Sequence, residues 1–169
     1  MLKEVISTER LILRNMILED SKDVYHIWST EDNSKYMCDP VKSVTEVEGL
    51  FSGETPRENY LLAVTDKTTS SIIGTICFGP TDDVMEWGFG YSFDKSSWGK
   101  GYATETVKAI IDYGISLGIK KFVSDCASEN IGSSRVLRKC GMILDHNSSY
   151  LQPESGIVYE SLVYKLDVL

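Results

Sequence analysis

Between residues 10 and 16 apolar and polar side chains alternate, with Leu11 and Leu13 on one face of an extended chain and Ile12 and Arg14 on the other. The period then lengthens: after Glu19 and Asp20, Val24, Ile27 and Trp28 recur at helical spacing and make one apolar stripe. Ser43-Val44-Thr45-Glu46 has the form of a capping box, and Val44, Val47, Leu50 and Phe51 carry a second helical face. Past residues 53–59 the period returns to two. Residues 60–65 and 72–78 read as strands separated by the polar turn 66–71, and a turn at 79–83 leads into a long strand over 84–93. Such short connections favour antiparallel neighbours.

The second half is organised differently. Residues 101–117 read as a helix, with Ala103, Val107, Ile110, Ile111 and Ile115 on one face. A strand over 120–127 and a short helix over 131–139 follow, and Gly141 is placed to end that helix in the left-handed conformation. Two closing strands, 142–146 and 157–166, bracket a loop holding Pro153 and Gly156. The order predicts an α/β sheet, antiparallel in its first half, with a strand-helix-strand crossover in its second.

A chain of 169 residues without repeats or linkers suits one domain over 1–169. No apolar run approaches the ~20 residues of a membrane helix, and no secretion signal is visible, so a cytoplasmic protein without membrane contact is expected. Cys38, Cys77, Cys126 and Cys140 show neither C-x-x-C nor metal spacing and read as reduced, packed thiols. His26 and His146 are isolated, so no metal site is expected. The net charge of −8 argues against nucleic-acid binding. It fits the ordinary solubility of an acidic surface first, and a cationic substrate only second.

The informative stretch is Ser97-Trp98-Gly99-Lys100-Gly101-Tyr102-Ala103-Thr104-Glu105, between the long strand and the central helix. Its glycines let backbone approach a ligand, and the free amides of a first helical turn with the helix dipole suit a pyrophosphate; a plain glycine turn is the other reading. A P-loop fails, because Asp94 stands where its first glycine belongs and Gly101 where Ser or Thr follows the lysine. A dinucleotide fingerprint fails at Thr104 or, from Gly88 and Gly90, at Phe93.

Three segments together resemble the GNAT acetyltransferases, in particular the branch of the ribosomal-protein N-terminal acetyltransferases RimJ and RimL: Thr8-Glu9-Arg10-Leu11-Ile12-Leu13-Arg14, the stretch 98–105, and the run from Asn130-Ile131-Gly132-Ser133 through Cys140-Gly141-Met142. The resemblance covers nearly the whole chain in order. It implies a mixed, mostly antiparallel sheet of about seven strands with helices on both faces and a splayed parallel pair, 84–93 and 120–127. A bulge at Gly88 and Gly90 would splay them.

It further implies acetyl-CoA as co-substrate and an amine acceptor, a protein N-terminus or a small molecule, attacked directly in a ternary complex. Main-chain groups of Tyr91, Ser92 and Phe93 would pair with the pantetheine arm, and Trp98, Gly99, Lys100, Gly101, Tyr102, Ala103 and Thr104 would take the pyrophosphate. Asn130 would bond the amide arm and Ser133 would lie near the sulfur. Where relatives carry a thiolate-protonating tyrosine this chain has Leu137, and Ser133 is the substitute; its other reading is a helix N-terminal hydrogen bond. The usual catalytic glutamate falls on Gly88, leaving Glu86, roughly 7 Å away along the strand, and Glu160 as candidate bases or as plain solvated carboxylates. That displacement leaves a non-catalytic acyl-CoA-binding module as the alternative. Glu105 is accounted for by the helix dipole alone. Trp28, Tyr36 and Trp87 could pack the core or line an acceptor pocket, and acceptor recognition falls to residues 29–59 and 147–156.

Overall fold

The computed structural model describes residues 2, 4–50, 60–83, 85–153 and 155–168. Phe51, Val84 and the 53–59 stretch of the sequence reading lie outside them. The elements, in chain order, are β1 (Ile6–Ser7), β2 (Leu11–Asn15), α1 (Ser21–Ser29), α2 (Glu31–Ser34), α3 (Val44–Gly49), β3 (Tyr60–Asp66), β4 (Ile72–Pro80), β5 (Glu86–Phe93), α4 (Tyr102–Ser116), β6 (Lys121–Ala127), α5 (Ile131–Lys139), β7 (Ile143–Gln152) and β8 (Ile157–Asp167). One eight-stranded sheet runs β1-β2-β3-β4-β5-β6-β8-β7. Among its pairs only β5 and β6 are parallel.

Alternation along β3 builds a core on each face. Leu62 and Val64 join Val107, Ile110 and Ile111 of α4 and Leu137 of α5. Ala63 joins Val24, Ile27 and Trp28 of α1 and Val47 of α3 on the other side. The expected helices and strands form with small differences. The eighth strand is β1, two residues and thus too short to show a period. β7 runs on to Gln152, through residues the sequence assigned to a loop. Its run 143–149 is exposed throughout, so its strand form comes from pairing with β8 rather than from its own hydrophobic pattern. In the capping box, Ser43 Oγ accepts from the Glu46 amide at 3.2 Å, but the Glu46 carboxylate reaches back to the amide of Lys42 rather than of Ser43.

The entry to α1 is pinned by a bidentate pair. Arg14 donates to both carboxylate oxygens of Asp20, at 2.6 and 2.8 Å, and the Ile17 amide adds a bond at 2.9 Å. Burial pushes the Asp20 carboxyl up, but the Arg14 and Ile17 bonds outweigh it and hold it below its ordinary range. A depressed folded value means stability that is present above the unfolded carboxyl's ~3.9 and lost as the pH falls through the folded value. Asp20→Asn should therefore cost about 2 kcal/mol at neutral pH. It should also flatten the loss of stability on acidification, as read by denaturant melts at neutral and acidic pH.

No helix among the described residues is long and apolar enough to cross a membrane.

Candidate active site

β5 and β6 pair only from Glu86↔Lys121 to Gly88↔Val123, then separate. The expected bulge is absent: β4 and β5 stay in unbroken register from Gly74↔Phe93 to Pro80↔Trp87. The opening arises instead because β6 turns to its other neighbour, β8, along its whole length. At the apex the buried Ser124 hydroxyl donates to the Phe89 carbonyl at 2.8 Å, satisfying the first main-chain group that the parting leaves without a strand partner.

The Asp94 amide bonds Ile73 on β4. By the alternation of an antiparallel ladder, Ser92 and Gly90 then also turn their main chain to β4, while Phe89, Tyr91 and Phe93 turn theirs to the gap. The Phe93 carbonyl is already occupied, by Asn33 Nδ2 at 3.0 Å and Trp98 Nε1 at 2.9 Å. This narrows the edge that could receive an added strand to the peptide groups of Tyr91 and the Phe93 amide. Ser92, assigned to that edge from sequence, has its main chain committed to β4.

The gap opens into a cavity of about 1490 Å3. Residues 91–93 line it from β5, Trp98, Gly99 and 101–104 from the loop and α4, Asn130 from the cap of α5 and Ser133 from its first turn. Lys100 is outside the lining; it is exposed, and its carbonyl accepts from Arg10 at 2.9 Å. Gly99 and Gly101 have φ of 74° and 82°, a region where a side chain is strained. Gly101 caps α4 without a side chain to bond its first turn, and the first intrahelical bond is from Glu105 to Gly101. The amides of Tyr102, Ala103 and Thr104 thus face the cavity at the positive end of a fifteen-residue helix.

This loop is held from a distance. The Glu105 carboxylate accepts from the Thr8 hydroxyl at 2.6 Å, the Arg10 amide at 2.9 Å and Arg10 Nε at 2.7 Å. Arg10 also bonds the Lys100 carbonyl and lies 4.5 Å over the Tyr102 ring, whose hydroxyl donates to Asp66 at 3.0 Å. Burial raises the Glu105 carboxyl, and these bonds outweigh it and hold the group below its ordinary range. Sequence reasoning missed this clasp and gave Glu105 only a dipole role. No local signal could have joined it to Thr8 and Arg10, 97 and 95 residues away.

Asn130 caps α5, its Oδ1 accepting from the Ser133 amide at 3.0 Å, which leaves its Nδ2 available as a donor. The Ser133 hydroxyl lies 2.8 Å from the Tyr91 hydroxyl. Burial pushes the Tyr91 phenol well above its usual value, the Ser133 bond only partly opposing it. Leu137, at the position of the missing tyrosine, has no proton to donate and is fully buried in the core. Arg135 and Lys139, not singled out from sequence, also line the cavity, one helical turn apart on α5.

The carboxylates assigned as bases lie elsewhere. Glu86 is at the closed end of the β5–β6 pair, outside the cavity lining, with Lys165 Nζ 3.3 Å away. It is four residues from Gly90, roughly 13 Å along the strand. Glu160 is exposed on β8, outside the lining, and alternation puts it on the same face as Tyr164, which packs in the α4–α5 core. Trp28 and Tyr36 both line the cavity, whereas Trp87 packs on Phe78 and Tyr60.

Residues 10–143 match the family model described as an acetyltransferase (GNAT) domain. The chain belongs to the GNAT acetyltransferases. It is 31% identical over 162 residues to the uncharacterized N-acetyltransferase p20 of Bacillus licheniformis, covering 86% of this chain and 89% of that one. The fold matches RimL, a ribosomal L7/L12 α-N-protein acetyltransferase, with a TM-score of 0.81 at 17% identity, over 98% and 94% of the two chains. It also matches the microcin C7 self-immunity acetyltransferase MccE, solved in complex with acetyl-CoA and AMP, with a TM-score of 0.81 at 19% identity over 95% and 94%. This GNAT enzyme thus shares its architecture with the RimL-like branch that its motifs resemble.

Proposed function

We propose that this GNAT enzyme acetylates a primary amine, with acetyl-CoA as co-substrate and direct attack in a ternary complex. The observation that carries the reading is the uncapped, glycine-flanked start of α4 opening into the gap between β5 and β6. The amides of 102–104 offer donors for the pyrophosphate, and Arg135 and Lys139 add positive charge on the same cavity wall. Tyr91 presents an unpaired strand edge to the pantetheine arm, and Asn130 Nδ2 a donor to its amides. A thioester supplies an already activated acetyl group, so the protein's task is to orient the amine and handle protons. Ser133, backed by Tyr91, donates toward the departing sulfur. With Glu86 neutralised by Lys165 and Glu160 on the other face, neither serves as base in this reading. The same two placements favour the second reading, a non-catalytic acyl-CoA-binding module.

Calorimetry with acetyl-CoA, followed by optical detection of thiol release against peptides with free N-termini, polyamines and aminoglycosides, separates the two. Binding with acceptor-dependent release is the expected result. Binding without release on any acceptor favours the module, and no binding removes both.

A further inference from the structure

Resting on the reading above, we infer that Asp125 is the carboxylate on which the acceptor's ammonium docks, beside the thioester. Three observations converge on it. The first is level: β5 and β6 are in register at Gly88↔Val123, so two residues further on Gly90 and Asp125 face each other across the opened gap.

The second is face. Ser124 bonds Phe89 at the apex and Cys126 packs in the α4–α5 core, so the intervening Asp125 turns to the opposite side of the sheet, with Gly90 and with Thr75, which bonds Trp28 of α1. Gly90 brings no side chain there, so the path from Asp125 to the gap is clear. Asp125 is also the only acidic side chain that β5 or β6 contributes to the cavity.

The third is pairing. Of the other carboxylates lining the cavity, Asp32 is engaged by Lys95 at 2.7 Å and Glu129 by Lys35 at 3.5 Å. Glu31 and Asp39 come from α2 and the loop that follows it, not from the two strands that bound the gap. Among the described residues no cation lies within ion-pair reach of Asp125. Asp125 is exposed to the cavity, which Tyr36 and Tyr150 also line, and Tyr150 stacks on Tyr159 at 5.4 Å while donating to the Tyr36 carbonyl. A carboxylate without a cation of its own, in a cavity that tyrosines also line, attracts a cationic amine and sets its nitrogen at the level of the gap.

The test compares two thioethers of coenzyme A by calorimetry: S-aminoethyl-CoA, which carries an ammonium two carbons from sulfur, and the isosteric, uncharged S-propyl-CoA. Wild type should prefer the ammonium by about ten- to a hundredfold, the size of a hydrogen bond to a charged group. In Asp125→Asn that preference should vanish while the affinity for S-propyl-CoA stays unchanged, which also reports an intact fold. Asp125→Glu should keep part of the preference, and Glu86→Gln all of it. No preference in wild type, its survival in Asp125→Asn, or its loss in Glu86→Gln would overturn the assignment. Failure of both thioethers to bind would instead remove the acetyl-CoA reading on which it rests.

Discussion

Ser133→Ala is expected to lower kcat by about 10²- to 10³-fold, the usual share of a positioned proton donor, and to leave the Kd of acetyl-CoA unchanged. The expectation rests on how the first turn of α5 is bonded. The cap bond to Asn130 uses the Ser133 main-chain amide, so alanine keeps it. What alanine removes is the hydroxyl, with its 2.8 Å contact to the Tyr91 hydroxyl. Leu137, an aliphatic side chain buried in the core, has no proton with which to compensate. Tyr91→Phe, which leaves Ser133 in place without its neighbour, should cost less, about tenfold. Because burial keeps the Tyr91 phenol protonated well past neutral pH, its contribution should not change between pH 6 and pH 9. Steady-state kinetics beside calorimetry read both effects. An unchanged kcat in Ser133→Ala would reduce that serine to an ordinary helix-start residue.

Glu105→Gln should weaken acetyl-CoA binding by about thirtyfold, some 2 kcal/mol, although Glu105 is outside the cavity lining. Its carboxylate gathers the Thr8 hydroxyl, the Arg10 amide and the Arg10 guanidinium, and Arg10 in turn holds the Lys100 carbonyl. Glutamine offers one acceptor oxygen and turns an amide donor toward a guanidinium, which cannot accept. The loop carrying Gly99 and Gly101 is then free to leave the conformation that presents the 102–104 amides. Binding should weaken in wild type as well on acidification: the Glu105 carboxyl is held below its ordinary value, so its bonds persist above that value and are lost as the pH falls through the lower, folded one. Titration calorimetry on the variant at neutral pH, with thermal melts alongside, measures the effect. An unchanged Kd would show that the glycines alone set the loop.

Much of this protein was legible from local pattern. A period of two over 60–65 and of 3.6 over 101–117 are properties of neighbouring residues, and β3 and α4 follow them to within a residue at most boundaries. The glycines at 99, 101 and 141 each take a positive φ, a conformation their own lack of a Cβ permits. The ordered motifs were enough to place the chain in its family. What lacked a period of its own was not legible: β1 is two residues long, and β7 runs past the strand read at 142–146 to Gln152 because β8 hydrogen-bonds it.

The roles of the charged residues belonged to the tertiary structure. Glu86 resembled a base by its distance from Gly88 along one strand, but Lys165, from β8, stands 3.3 Å away. Glu105 looked self-sufficient until β1 and β2 brought Thr8 and Arg10 to it. Asp125 carries no motif; its position across from Gly90 follows from the register of β5 on β6 and from β6 leaving β5 for β8. Backbone preference is decided within a few residues, so sequence alone determined most of the elements, the glycine turn that opens α4 and the family. The environment of a carboxylate depends on which strands lie beside it, and strand order and register exist only once the chain has closed its sheet.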